Sequence, residues 1–165
     1  GITLAGTDPD GDAIVGYNLR MTEMQSAIGL AMLERLDGYV ATRRELAAYL
    51  TKGLADTALD PIPDGPDRTH SFFRYDTLFN DGAVDLSRDE YIRAVAAEGV
   101  PISRGSSFSN HCDPRFDGLK RETSCPVSEE MGRRIVTLEV YPTISTDDCD
   151  DVLAAIRKVK AVHTV

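Results

Sequence analysis

Apolar residues recur at the spacing of one helix face in the early part of the chain. They are Met24, Ile28, Ala31, Met32, Leu36 and Val40. Thr22 and Gln25 have capping-box spacing, in which both side chains satisfy backbone N–H groups at a helix start. The pattern predicts a helix from about Thr22 to Leu54, with a break near Asp37–Gly38. Its polar side is predicted to carry Glu34, Arg35, Arg43, Arg44 and Glu45.

Three segments are predicted to be irregular. The turn formers of Asp8–Asp12 predict that residues 1–16 form a surface loop, because Pro fixes its own φ and Gly tolerates positive φ. The three prolines of Asp60–Pro66 predict a connector, since each removes a donor and forces extended geometry on its predecessor. Gly105–Pro126 lacks a period and is predicted to be a long loop, a class that is often functional.

Short strands and helices alternate beyond the first helix. The predicted strands are His70–Phe79, Val100–Ser103 and Ile135–Tyr141. The predicted helices run from Ser87 to Gly99, from Ser128 to Arg133, and from Thr146 to the Lys158–Lys160 region. This order favours an α+β domain, with helices on one face of a small, mainly antiparallel sheet.

The amino-acid composition and net charge argue against several classes of binding partner and cellular location. The 165 residues are 42% hydrophobic and 27% charged, which is typical of one soluble globular domain. A net charge of −9 argues against nucleic acid or an anionic membrane as a partner. No membrane-spanning run or signal peptide is evident, and three scattered cysteines favour a reducing, cytoplasmic location. The first residue is Gly1 rather than methionine, which suggests a fragment.

Few residue patterns point directly to chemistry. His111, Cys112 and Cys125 lack the close pairing of structural zinc ligands, so no metal site is expected, and a Cys–His nucleophile is unsupported. Four carboxylates early in the last helix are expected to be solvated and to complement the helix dipole, rather than to bind a cation. They are Asp147, Asp148, Asp150 and Asp151.

Gly16–Met21 places two ligand-binding side chains immediately before a capped helix. Asn18 has two amide donors that suit an oxyanion, and Arg20 has a planar cation that suits carboxylate or phosphate. An ordinary helix lead-in explains the same residues, so local sequence leaves both interpretations open.

The residues around Gly16–Met21 belong to a longer sequence motif. Gly16–Gly29, followed by Leu33–Asp37 and Arg43–Arg44, resembles the C-terminal part of the DegT/DnrJ/StrS sugar aminotransferases. Later stretches resemble the same family in the same order, and the resemblance covers essentially the whole chain. These stretches are the His70 strand, Ala97–Pro101, Cys125–Pro126 with Ser128–Glu129, and Tyr141–Pro142 with the final helix.

The resemblance implies the C-terminal small domain of the aspartate aminotransferase fold and a pyridoxal 5'-phosphate (PLP) enzyme. Such an enzyme moves an amino group from glutamate or glutamine to a keto sugar, often nucleotide-linked, or to a keto cyclitol. The implied organisation is an interface segment over residues 1–21, a linking helix over 22–54 and the small domain over 55–165.

Site residues also follow from the resemblance. Asn18 matches an asparagine that reaches across a homodimer interface to the partner's cofactor phosphate. Arg20 matches the adjacent arginine, and the resemblance leaves its role open between the phosphate, the substrate carboxylate and the interface. Both matches imply a homodimer with shared active sites. The Schiff-base lysine of the family lies upstream of the matched segment, so the chain is expected to have no catalytic residue and to be inactive alone. None of the four lysines matches it: Lys52, Lys120, Lys158 and Lys160.

Two points stay open. The loop after Arg104 departs from the pattern of many relatives, which leaves the substrate undetermined. A second hypothesis is a natural short protein that acts as a dimerisation or interaction module. Its contact surface would be the apolar face formed by Met24, Ile28, Met32 and Leu36.

Overall fold

The computed structural model describes residues 2–7, 13–17, 20–105, 112–113 and 124–165. The chain divides into two compact units, Gly1–Gly38 and Tyr39–Val165. In the described part of the chain, no helix has both the length and the apolar character needed to cross a membrane.

The first unit begins with a β-hairpin. Strand β1 (Ile2–Thr7) pairs antiparallel with β2 (Ala13–Tyr17), and an irregularity in register falls between Leu4 and Gly6. The prediction that residues 1–16 form a loop is therefore wrong. Turn formers are concentrated in residues 8–12, which lie outside the described residues, whereas β-branched residues on both sides favour strands.

The predicted long helix is two consecutive helices, α1 (Glu23–Leu33) and α2 (Leu36–Gly53). The break falls at residues 34–35 rather than at Asp37–Gly38, so Gly38 lies inside α2. The predicted cap is confirmed, because the Gln25 amide donates to the Thr22 hydroxyl at 3.2 Å and the Thr22 amide donates to the Gln25 side chain at 3.0 Å. Helix α1 buries none of its residues.

A four-stranded antiparallel sheet forms the centre of the second unit, in the order β3-β4-β6-β5. Its strands are β3 (Leu59–Pro61), β4 (Tyr75–Phe79), β5 (Ile102–Ser103) and β6 (Ile135–Leu138). Strand β3 was not predicted. Its Pro61 is tolerated because β3 is an edge strand.

The predicted strands are longer than the observed ones. The expected strand His70–Phe79 begins only at Tyr75. Phe72 has a left-handed backbone with φ of 49°, which interrupts an extended ladder. At the end of β5, Gly105 has φ of 54°, and a Cβ there would clash with the Thr137 hydroxyl oxygen.

Three helices complete the second unit: α3 (Arg88–Ala97), α4 (Pro126–Arg134) and α5 (Thr146–Val162). Capping boxes at Ser87 and Ser145 start α3 and α5. The buried core draws side chains from α2, α3, α5 and the sheet, each contributing about 1.5–3 kcal/mol when fully buried. Its largest members include Leu50, Leu59, Tyr91, Val95, Val136, Leu138 and Ile156.

Candidate functional site

Arg20 is exposed and lies three residues before the first helical residue of α1. The start of a helix carries partial positive charge and unpaired N–H groups, which together with a guanidinium suit a phosphate. Thr22 already satisfies one of these N–H groups through its hydroxyl. Asn18 lies outside the described residues.

Helix α1 carries several large apolar side chains at its surface. Their exposed fractions run from 75% at Met24 to 50% at Met32. The exposed set in this region is Met21, Met24, Ile28, Leu30, Met32, Leu33 and Leu36. Clustered exposed apolar residues mark interaction surfaces more often than single ones do.

The described lysines lie at the surface. Lys52 is exposed on α2, and Lys158 is paired with Glu98 at 2.6 Å with 64% of its side chain exposed. Lys160 donates to the Asp56 carbonyl. A lysine becomes a nucleophile at neutral pH when burial or a neighbouring cation disfavours its charge. None of these three lysines is buried, and Lys120 lies outside the described residues.

Arg43 has an unexpected position. It was predicted on the polar side of the helix, but it is half-buried, and its Nη1 donates to the carbonyls of Phe72 and Phe73 at 3.0 Å and of Val140 at 2.5 Å. The guanidinium therefore holds the left-handed turn at Phe72 and presents Phe73, which is 78% exposed. Sequence reasoning missed this because the three acceptors are backbone atoms from distant segments.

A groove of about 670 Å³ lies between α2 and the segment that connects β3 to β4. Arg44 and Lys52 lie on its helix side, and Ile62, His70 and Phe72 lie on the connecting segment. A smaller cavity of about 270 Å³ adjoins it and shares Ile62, His70 and Phe72. The sequence signal in this region is the Arg43–Arg44 pair, which predicts a polar helix face and belongs to the family motif, but does not indicate a groove.

A second cleft of about 570 Å³ lies against α5 and is lined largely by carboxylates and apolar groups. Asp148, one of its lining residues, caps α5, and hydrogen bonds from Ser145 lower the pKa of its carboxyl group. Tyr141 lies there beside Glu139, whose carboxylate raises the pKa of the phenol by accepting its hydrogen bond.

The cysteines do not converge on one site in the described structure. Cys112 is exposed, Cys125 is half-buried at the start of α4, and Cys149 is buried in the core. Burial raises the pKa of the Cys149 thiol, which makes it a poor nucleophile. Across the described ranges no group of three or more His, Cys, Asp or Glu side chains could hold a metal ion, and His111 falls outside them.

The chain is similar in sequence to proteins whose names refer to sugar or polysaccharide biosynthesis. It is 31% identical over 149 residues to a GDP-perosamine synthase of Caulobacter vibrioides, covering 88% of this chain and 39% of that protein. It is 29% identical over 153 residues to the spore coat polysaccharide biosynthesis protein SpsC of Bacillus subtilis, covering 87% of this chain and 38% of the relative.

The fold of this chain also matches solved structures of aminotransferases. The fold matches the aminotransferase from Psychrobacter cryohalolentis with a TM-score of 0.79 and 27% identity, covering 91% of this chain and 41% of that one. It matches DesV from S. venezuelae with a TM-score of 0.78 and 25% identity, covering 89% of this chain and 38% of DesV. The predicted α+β fold class is confirmed, and the chain spans about two-fifths of the length of these relatives.

The match to a family profile covers nearly all of the sequence. The profile of the DegT/DnrJ/EryC1/StrS aminotransferases aligns with residues 2–157, which include the hairpin, both early helices and most of the second unit. The resemblance found in the sequence motifs is confirmed, and the chain belongs to the DegT/DnrJ/EryC1/StrS aminotransferase family.

Proposed function

We propose that this chain forms the C-terminal part of a PLP-dependent aminotransferase that moves an amino group from glutamate or glutamine to a keto sugar or keto cyclitol. The observation that carries the proposal is the family match over residues 2–157, together with relatives that act in sugar metabolism. The GDP-linked product named for the Caulobacter relative favours a nucleotide-linked keto sugar as the acceptor.

The chain's contribution to cofactor binding is proposed to be at Asn18 and Arg20. The exposed guanidinium of Arg20 beside the start of α1 has the charge and donor geometry that a cofactor phosphate requires. PLP supplies an electron sink for amino transfer, whereas the protein supplies binding and orientation. We assign Arg20 and Asn18 to orientation through the phosphate, with no role in proton transfer.

The lysine that bonds covalently to the cofactor is proposed to lie outside this chain. The positions of Lys52, Lys158 and Lys160 support this, because none of the three is buried in a pocket of the described structure. The chain alone is therefore expected to be inactive as an aminotransferase. We propose that the working enzyme is cytoplasmic, because the three cysteines of this chain would stay reduced there.

A homodimer with shared active sites is part of the same proposal. The exposed apolar side chains of α1, including Met24 and Ile28, need a protein surface to cover them in an assembled enzyme. Arg20 lies in the sequence immediately before this face, so the segment that binds the partner is proposed to deliver Arg20 to the partner's cofactor.

The test uses the full-length protein that contains this segment, purified with PLP. We expect visible cofactor absorbance, a change in that absorbance on adding glutamate or glutamine, and weaker cofactor retention in the Arg20→Gln variant. Arg35→Gln, an exposed arginine at the break between α1 and α2, is the matched control and should retain cofactor normally. Bound cofactor with no response to either amino donor would overturn the transaminase assignment.

A second candidate is a non-catalytic dimerisation or interaction module, and the exposed apolar face of α1 favours it. This module would pair with a complete aminotransferase through Met24, Ile28 and Met32. Co-expression of the 165-residue chain with a full-length relative, followed by size-exclusion chromatography, separates the two candidates. A stable complex that Ile28→Asp abolishes supports the module, and a chain that elutes alone excludes it.

A further inference from the structure

Arg43 joins three stretches of the family motif to which the proposed function gives no role. Arg43 itself belongs to the first stretch. Its Nη1 atom donates to the carbonyls of Phe72 and Phe73, in the second stretch just before β4. The same atom donates to the carbonyl of Val140, next to Tyr141 in the third stretch. Three segments that are far apart in the sequence are therefore held together at one point of the second unit.

The segments joined by Arg43 carry two exposed aromatic side chains, Phe73 and Tyr141, which we call the aromatic pair. Their exposed fractions, 78% and 46%, are the largest of any phenylalanine or tyrosine in the described ranges. A single exposed apolar side chain is common on protein surfaces. Two aromatic side chains on adjacent segments beside an arginine instead match the residue types that dominate protein interfaces.

The backbone before Phe73 is held in a strained form that keeps this ring out of the core. Phe72 has a left-handed φ of 49°, which is costly for a bulky residue. Its own ring packs against the core, 6.0 Å from the ring of Tyr75. Phe72 thus occupies the inner side of the turn, while Arg43 holds the Phe73 carbonyl. The strain is retained where Phe73 is presented to solvent, and retained strain is concentrated at functional sites.

The length of the relatives indicates what covers the aromatic pair. This chain spans about two-fifths of the relatives it matches, so most of such a protein lies outside the matched segment. Domains of one polypeptide pack through interfaces of about 600–1,500 Å². The apolar face of α1 is already assigned to the partner subunit in the proposed homodimer. The aromatic pair belongs to the second unit, which leaves it for the rest of the same polypeptide.

We propose that the N-terminal part of the same polypeptide packs on the aromatic pair, with Phe73 as the apolar anchor and Arg43 as the residue that positions it. The inference rests on the proposed function, in which this chain is the C-terminal part of a longer enzyme. The surface that receives Phe73 is apolar, because a phenyl ring gains free energy by leaving water. Tyr141 adds ring surface rather than a new hydrogen bond, since its phenol already donates to Glu139.

The test compares one substitution in two contexts, the 165-residue chain and the full-length protein that contains it. Phe73→Ser should change the melting temperature of the 165-residue chain by less than about 2 °C, because the side chain lies in water there. In the full-length protein it should lower the melting temperature by about 4–8 °C, because an interface anchor is lost. Val127→Ser is the matched control, since Val127 on α4 is 74% exposed, and it should leave both proteins unchanged.

Equal shifts of the melting temperature in the two contexts would overturn the proposal. A shift in neither protein would mean that nothing covers Phe73, and the same loss in both would mean that Phe73 packs within this chain. Sedimentation of the 165-residue chain detects a second copy as the competing occupant. A dimer of this chain that Phe73→Ser dissociates would also overturn the proposal.

The positioning role of Arg43 has its own readout. In the full-length protein with Arg43→Lys, which keeps the charge but loses the planar donor group, Phe73→Ser should lower the melting temperature less than it does in the parent. The reason is that the ring is then no longer held in the geometry of the contact. An undiminished effect of Phe73→Ser would show that Arg43 stabilises the fold without positioning Phe73.

Cofactor absorbance of the same full-length protein separates this inference from the proposed function. A full-length protein that binds no PLP, but in which Phe73→Ser lowers the melting temperature only in the full-length context, retains the contact and loses the enzyme assignment. Bound PLP that responds to an amino donor, together with equal shifts in the two contexts, retains the enzyme assignment and overturns the contact.

Discussion

The Nη1 atom of Arg43 lies 2.5 Å from the carbonyl oxygen of Val140, a residue 97 positions later in the chain. The same nitrogen also donates to the carbonyls of Phe72 and Phe73. One half-buried cation therefore links α2, the segment before β4 and the segment after β6. A backbone carbonyl that loses its donor and is shielded from water costs free energy of folding, because no new hydrogen bond compensates for its desolvation.

Replacing Arg43 should destabilise the second unit. We expect Arg43→Ala to lower the free energy of unfolding by about 1.5–3 kcal/mol, because two part-buried carbonyls and one exposed carbonyl lose a charged donor. Urea denaturation followed by circular dichroism measures the change. Arg133→Ala is the control, since Arg133 is 66% exposed and only pairs with Glu130. It should cost less than about 1 kcal/mol, and equal losses in both variants would contradict the structural role of Arg43.

Two glycines of α2 should respond oppositely to alanine. A Cβ at Gly53 would lie 2.2 Å from a methyl carbon of Leu153, which is 2% exposed in the core. We expect Gly53→Ala to cost about 1–3 kcal/mol, because the packed side chain must shift. A Cβ at Gly38 meets nothing within 4 Å, so Gly38→Ala should stabilise the helix by about 0.5–1 kcal/mol. Thermal unfolding of both variants measures the difference, and a Gly53→Ala variant as stable as the parent would rule out the clash.

Two buried tyrosines differ in hydrogen bonding. The Tyr75 hydroxyl lies 2.6 Å from the Thr51 hydroxyl, whereas the Tyr91 hydroxyl has no hydrogen-bond partner within the described ranges. Tyr75→Phe should therefore lose about 1 kcal/mol of stability. Tyr91→Phe should be neutral or slightly stabilising, because it removes a buried polar group that gains nothing in the fold. Chemical denaturation of both variants measures their unfolding free energies. A larger loss in Tyr91→Phe than in Tyr75→Phe would contradict the prediction.

Burial also raises the pKa of Tyr75 to about 12. A tyrosine whose pKa is raised in the folded chain stabilises the fold below its unfolded value, near 10, and this contribution is lost as pH rises through the folded value. The parent should therefore lose stability as the pH rises from about 10 to about 12. Tyr75→Phe should show a smaller loss over the same interval, measured by unfolding at stepped alkaline pH.

Two helix-capping carboxylates, Glu90 and Asp148, should make the fold less stable at acid pH. Hydrogen bonds from Ser87 lower the pKa of Glu90, and hydrogen bonds from Ser145 lower the pKa of Asp148. A lowered folded pKa means that the carboxylate stabilises the fold above its unfolded value, near 4, and loses this contribution as pH falls through the folded value. The melting temperature should fall below that pH, and Glu90→Gln combined with Asp148→Asn should flatten the fall. Glu45→Gln, an exposed carboxylate on α2 outside any capping box, should leave the profile unchanged.

Elements specified by neighbouring residues were predictable. The capping box at Thr22 and the one at Ser87 occur where the spacing placed them, because these hydrogen bonds join residues only three apart. The β-hairpin of the first unit was missed because turn formers in residues 8–12 outweighed the short β-branched runs beside them. The break between α1 and α2 was misplaced because Gly38 is tolerated inside a helix that continues on both sides.

Amino-acid sequence alone determined the family, through the motif from Gly16 to Gly29, and the helix starts, through local capping. Only the tertiary structure decided the extent of the strands, the three carbonyl acceptors of Arg43, and the groove that gathers Arg44, Lys52 and His70. Local hydrogen bonds depend on residues a few positions apart and can be read along the chain. Contacts such as that between Arg43 and Val140 join distant segments, and they exist only once the sheet and helices have packed.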